Sequence, residues 1–168
     1  MDTMSDNREQ MDRIASFEVD HTRLRPGVYV SRRDMVGDQV LTTFDIRMTT
    51  PNVEPAMDIG GIHAIEHLGA TYFRSQEYKD KIIYFGPMGC CTGFYLIVIG
   101  SFSSGEIVGY VTKMMEFISN YMGEVPGANP RECGNYLTLN LPMARYYARK
   151  YLLNVLNNIT PERLLYPE

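Results

Sequence analysis

The sequence has little of what would put it on a membrane or on nucleic acid. No apolar run approaches the roughly 18 residues needed to span a bilayer. Positive charge is not in excess: 16 Lys and Arg stand against 20 Asp and Glu, a formal net charge of −4. The broad basic footprint of a nucleic-acid binder is therefore missing. The opening residues, Met-Asp-Thr-Met-Ser-Asp-Asn-Arg, are polar and mixed in charge, without the apolar segment of a secretory signal. A cytoplasmic protein is the expectation, with residues 1–12 a disordered lead and 13–168 one domain. No phosphate-binding or dinucleotide glycine pattern occurs, so no nucleotide cofactor is expected. Cysteine is scarce, with only Cys90, Cys91 and Cys133. A reducing compartment keeps these as thiols, and the adjacent pair is poorly placed to bridge to itself. Internal repeats and low-complexity tracts are also absent.

What is present is ordinary for a globular chain: 45% hydrophobic and 21% charged over 168 residues, enough to enclose a substantial core. Residues 15–20 alternate and predict a strand, followed by a second from Gly27 to Arg33. Val36-Gly-Asp-Gln reads as a hairpin turn. Gln39 to Met48 is the returning strand, with Val40, Thr42, Phe44 and Ile46 on one face. Pro51 to Pro55 is a breaker-rich loop. Asp58 suits the cap of a helix in which Ile62, Ile65, Leu68 and Tyr72 recur at helical spacing. Gly60, Gly61 and Gly69 weaken that helix and permit close packing. Short strands follow at Ile82–Phe85 and at Phe94–Ile99, the latter apolar enough to be buried on both faces. Ser103 or Ser104, with Glu106, opens a long helix striped by Ile107, Val111, Met114, Met115, Ile118 and Met122. Gly123 to Pro130 is a loop. A last helix covers Leu141 to Asn157, burying Tyr146, Leu153 and Leu156. This order predicts an α+β fold, an antiparallel sheet with helices on one face.

Residues 63–67, His-Ala-Ile-Glu-His, hold two of the three histidines. Three intervening residues put both imidazoles about one helical turn apart, within reach of one metal ion. Glu66 lies beside them as a candidate base, and H-x-x-E-H is a known metallo-motif. Two histidines leave a catalytic site one ligand short, and the isolated Cys133 suits that place. The bland alternative is a surface histidine pair and an unrelated buried thiol. Cys90 and Cys91 lie in the glycine-rich turn Gly86-Pro-Met-Gly-Cys-Cys-Thr-Gly. A nearby cation would make such a thiol a nucleophile or acid/base group. Otherwise it fills a tight turn. Ser16 and His21 are weaker signals. Arg47, among apolar strand neighbours, would pair a buried carboxylate or hold an anion. Arg74 lies three helical turns after His63 and can share its face.

These residues fall in blocks that resemble the LuxS family, the S-ribosylhomocysteine lyases, from Ser16 to about Arg149. Ser16-Phe-Glu-Val-Asp-His is similar to the family's S-F-x-x-D-H, and Phe44-Asp-Ile-Arg to its F-D-x-R. His63-Ala-Ile-Glu-His-Leu resembles H-T-x-E-H-L. Pro87-Met-Gly-Cys-Cys-Thr-Gly-Phe-Tyr-Leu resembles P-M-G-C-x-T-G-F-Y-L, and Cys133-Gly its C-G. The resemblance implies a metal held by His63, His67 and Cys133, with Fe²⁺ native and Zn²⁺ or Co²⁺ replacing it. It implies Cys90 and Glu66 as catalytic acid/base groups, and Ser16, His21, Arg47 and Arg74 near the substrate. It also implies a homodimer with active sites at the interface. The implied reaction moves a sugar carbonyl from C1 to C3 and eliminates homocysteine. The other product, 4,5-dihydroxy-2,3-pentanedione, is the precursor of the quorum-sensing autoinducer-2, and the step belongs to the activated methyl cycle. The chain departs from the family pattern at Cys91, in a shorter segment before Cys90, and in Asn135 to Leu141.

Two rivals share the local motif. An inverted zinc peptidase takes a downstream carboxylate as third ligand. A structural metal domain closes its site with a fourth protein ligand.

Overall fold

The β1–β2 hairpin sets the frame of the molecule. The structure is a computed structural model that describes residues 14–167; the expected lead over 1–12 lies outside the described residues. Strand β1 (Gly27–Val36) returns as β2 (Gln39–Arg47) through the two-residue turn Gly37–Asp38, and Val36 pairs with Gln39. Strands β3 (Ile82–Pro87) and β4 (Gly93–Ile99) form a second hairpin. Antiparallel pairing of β2 with β4 joins them into one sheet of order β1-β2-β4-β3.

One sheet face carries the core. Val28, Phe44, Ile46, Phe85, Phe94, Leu96 and Val98 project from it and are buried. Each such side chain contributes roughly 1.5–3 kcal/mol by leaving water. Helix α2 (Ile59–Arg74) packs on β3, and helices α3 (Ser104–Asn120) and α4 (Leu141–Asn154) close the layer. The result is the expected α+β arrangement. Asp58 caps α2, its carboxylate accepting from the Gly61 N–H at 2.9 Å. Ser103 and Glu106 form a reciprocal capping box on α3. Gly69 lets α2 approach the sheet, since a Cβ there would stand 2.4 Å from the Phe85 ring.

Several expectations change. Residues 15–20 do not form a strand: Ala15–Glu18 is one helical turn, α1. Alternation specifies a strand only where a sheet offers a face, and Phe17 is 67% exposed. An Asp20 turn, with its carboxylate accepting from the Thr22 N–H and hydroxyl, then stops the segment. Strand β4 is not buried on both sides: Tyr95, Ile97 and Ile99 stay half-exposed on the face away from the helices. Met122 lies beyond the end of α3 and is exposed. On α4, Ala144, Ala148, Tyr151 and Leu152 face the core, while Tyr146 and Leu153 are 56% and 64% exposed. Two small alanines, one tyrosine and one leucine set that face, which residue size alone misassigns. The helix also ends at Asn154, and a short 3₁₀ turn follows at Leu156–Asn158.

Candidate functional site

Helix α2 presents His63 and His67 one turn apart, with ring centroids 4.7 Å from each other. The long connection between α3 and α4 wraps over them. It brings Cys133, and one ligand atom each from His63, His67 and Cys133 lies within 4.8 Å of the others. The same connection fixes both rings. The Pro126 carbonyl accepts from His67 Nδ1 at 2.7 Å. The Thr138 hydroxyl lies 2.9 Å from His63 Nδ1 and donates its own proton to the Asn135 carbonyl, so the ring N–H must donate to Thr138. Both histidines thus carry the proton on Nδ1 and turn a lone pair on Nε2 towards the cluster.

Cys133 Sγ lies 3.3 Å from His63 Nε2 and accepts from the Asn135 N–H at 3.4 Å. Gly127, at φ 74°, makes the turn beside His67; a Cβ there would stand 3.2 Å from Nδ1. Burial, and then the charge of His67, hold the His63 imidazolium below its ordinary range against the pull of Glu66. A neutral ring is the form that ligates. Two imidazole nitrogens and one sulfur suit a borderline divalent cation. Among the described residues no fourth His, Cys, Asp or Glu joins the group.

The second group is built on the sheet. The β3–β4 connection is a tight turn, with Cys91 N–H donating to the Met88 carbonyl at 3.0 Å. It is pinned to its surroundings because Met48 and Thr49 N–H donate to the Thr92 carbonyl, and Met57 N–H to that of Cys91. Cys90 is exposed at its tip. Arg47 reaches it from β2: Nη1 stands 3.8 Å from Cys90 Sγ and donates to Thr92 Oγ1 at 2.6 Å. Thr92 Oγ1 lies 3.1 Å from the same sulfur. Having accepted from arginine, the threonine hydroxyl is free to donate to the thiolate. Partial burial raises the Cys90 thiol, but the Thr92 hydrogen bonds and the Arg47 charge outweigh it and hold the thiol below the ordinary cysteine range.

Comparisons with known proteins show which family carries these two groups. The family model described as S-Ribosylhomocysteinase (LuxS) matches residues 14–162. The chain is 55% identical over 158 residues to the S-ribosylhomocysteine lyase of Finegoldia magna, covering 94% of this chain and 100% of that protein. Identity to the S-ribosylhomocysteine lyase of Clostridium acetobutylicum is 57% over 159 residues, with the same coverage. Against the Porphyromonas gingivalis lyase it is 51% over 159 residues, again 94% and 100%. The chain belongs to the LuxS family.

Within this LuxS-family fold the remaining expected residues are placed unevenly. Glu66 is half-buried on α2, about 60° round the helix from His63. Arg47 is buried and locked to Asp45, with Nε to Oδ1 at 3.1 Å and Nη2 to Oδ2 at 2.6 Å. Ser16 falls in α1. His21 is half-buried after that turn, its Nδ1 2.8 Å from the Val19 carbonyl. Arg74 is the exposed last residue of α2, about 16 Å along the helix axis from His63 at 1.5 Å per residue. Cys91 sits at φ 58° with its sulfur 3.7 Å from the Gly89 carbonyl, and its side chain packs at the edge of the core.

Asp45, Thr92, Thr138 and the Pro126 carbonyl escape detection from sequence. Asp45 has a usable signal. It stands two residues before Arg47 on one strand, so both must share a face. The others lie in loops, where spacing carries no directional information.

Proposed function

We propose that this chain is a metal-dependent carbon–sulfur lyase that cleaves S-ribosylhomocysteine to homocysteine and 4,5-dihydroxy-2,3-pentanedione. The observation that carries the reading is the gathering of His63, His67 and Cys133 around one point in a chain of this family. Nε2 of each histidine and Sγ of Cys133 would hold Fe²⁺, or Zn²⁺ or Co²⁺ in its place, and the cation supplies Lewis acidity to the sugar oxygens when bound. Three protein donors leave coordination room for substrate, which a closed structural site would not.

The protein side of the chemistry is proton transfer. The thioether sulfur on C5 cannot leave until a neighbouring carbon proton is acidified by a carbonyl. Cys90, as thiolate, takes the proton from C2 and returns one to C1, which shifts the carbonyl to C2. A second transfer, from C3 to C2, moves it to C3. Removal of the C4 proton then expels homocysteine as its thiolate. Glu66 moves the matching protons on the sugar oxygens and protonates the leaving sulfur. Arg47 and Thr92 keep Cys90 ionised between transfers. The family resemblance puts Ser16, His21, Arg47 and Arg74 near the substrate in this reading; of these, Arg47 acts through Cys90, and Arg74 stands about 16 Å along α2 from His63.

The protein works as a homodimer with its active sites at the interface. Tyr84, Tyr95 and Ile97, on the sheet face without helices, are the surface that favours a second copy. No described helix is long and apolar enough to cross a membrane, and we place the enzyme in the cytoplasm, supplying the autoinducer-2 precursor.

The test is anaerobic incubation with Fe²⁺ and S-ribosylhomocysteine, with released thiol titrated by a chromogenic disulfide. Thiol release is expected in the native protein. In Cys90→Ala and Glu66→Gln metal is retained and release is lost. Normal turnover in Cys90→Ala would remove its assigned role.

A further inference from the structure

The ion pair behind Cys90 is not a closed pair. Asp45 is 1% exposed and Arg47 3%. A carboxylate this deep needs more donors than one guanidinium supplies. The further donor is Tyr166, whose hydroxyl donates to Asp45 Oδ2 at 2.9 Å. Burial, then the Asp45 charge, hold that hydroxyl far above the usual tyrosine range, so it stays a donor. Tyr166 lies beyond residues 14–162, which the family model matches.

Its placement is built, not incidental. Residues 161–167 run back over the sheet face without helices. The Tyr166 ring stacks on Tyr29 of β1 at 4.9 Å between centroids and 17° between planes. Arg163 Nη1 donates to the Pro26 carbonyl at 2.7 Å. The buried Tyr151 hydroxyl donates to the Gly27 carbonyl at 2.7 Å. Tyr29 is the strand partner of Asp45. The line is therefore continuous, from Tyr166 to Asp45, to Arg47, and on to Thr92 and Cys90.

We propose that Tyr166 is a positioning residue for Cys90: its hydroxyl draws carboxylate charge away from Arg47 and holds the guanidinium aimed at the thiol and Thr92. The proposal rests on the reading of Cys90 as the reactive thiol. Without the hydroxyl, Asp45 leans wholly on Arg47 and cancels more of its charge at the sulfur. Among the described residues, Arg47 on β2 and Tyr95 on β4 act on the thiol electrostatically, while Asp45 and Tyr166 reach it through Arg47.

The test is the pH dependence of Cys90 alkylation in the metal-loaded protein, read on the Cys90 peptide by mass spectrometry in a Cys91→Ser background. Tyr166→Phe keeps the stacked ring and removes only the hydroxyl. Its alkylation midpoint is expected to rise by about half a pH unit, and the rate below the midpoint to fall about threefold. Tyr29→Phe, whose hydroxyl bonds the Arg25 carbonyl instead, is expected to leave the midpoint in place. An unmoved midpoint in Tyr166→Phe at unchanged melting temperature overturns the proposal. So does an equal rise in Tyr29→Phe, which would reduce the clasp to packing. Alkylation needs no turnover, so normal lyase activity in Cys90→Ala would end the catalytic reading without deciding this one.

Discussion

The two candidate groups are assembled by different means. The metal trio takes two members from one helix and the third from a loop. The thiol group takes Arg47 and Asp45 from a central strand, Thr92 and Cys90 from a hairpin turn, and Tyr166 from a segment far along the chain. Helical periodicity alone aligns His63 with His67. Nothing local aligns Arg47 with Cys90; the β2–β4 register does, pairing Arg47 with Gly93 at the mouth of the turn. Sequence spacing aligns the histidine pair of the first group and a loop adds its third member, whereas sheet topology assembles the second, and the two should fail independently.

The sharpest test of that independence is Cys133→Ala. Loss of a proposed ligand should lower metal affinity by more than about 100-fold, measured by metal content after dialysis against a weak chelator. The pH profile of Cys90 alkylation should not move. A shifted profile would mean that the two groups are coupled.

Next in size is Arg47→Met. It leaves Asp45 buried without its cation, at a cost of about 3–5 kcal/mol, visible as a lower denaturation midpoint. Cys90 should return to the ordinary thiol range, so that alkylation at neutral pH slows, while the folded protein keeps its metal. Intact stability would show that Tyr166 alone can satisfy the carboxylate.

The smallest effect is expected from Thr138→Val, which removes the acceptor that orients His63. Metal affinity should fall about tenfold, with stability nearly unchanged and the thiol profile untouched. An affinity equal to the native value would mean that the backbone around Cys133 fixes the ring without help.

The same contrast explains which parts of the molecule are legible in its sequence. The helix carrying His63, Glu66 and His67 is legible because spacing of three and four is a direct image of its geometry. The faces of β2 are legible for the same reason, with a period of two. Residues 15–20 mislead because alternation without a partner strand has nothing to bury. Tyr146 and Leu153 mislead when apolar character is weighed without the alanines at 144 and 148, which mark where α4 comes closest to its neighbours. Thr138 and Pro126 leave no trace because a loop's path is set by its contacts. Tyr166 leaves none because the partner that gives it meaning lies 121 residues away.

The two-residue turn at Gly37–Asp38 has a reach beyond its own hairpin. It counts the pairing of β1 with β2, and that count decides which β2 side chains face the helices. A single residue added there, if absorbed as a slip of β2, would swing Asp45 and Arg47 into the oily interior and point Phe44 and Ile46 outward. The Cys90 sulfur would keep its own loop and lose its cation. The length of a solvent-facing bend, touching neither metal ligand nor thiol, is thereby written into the acidity of a distant cysteine.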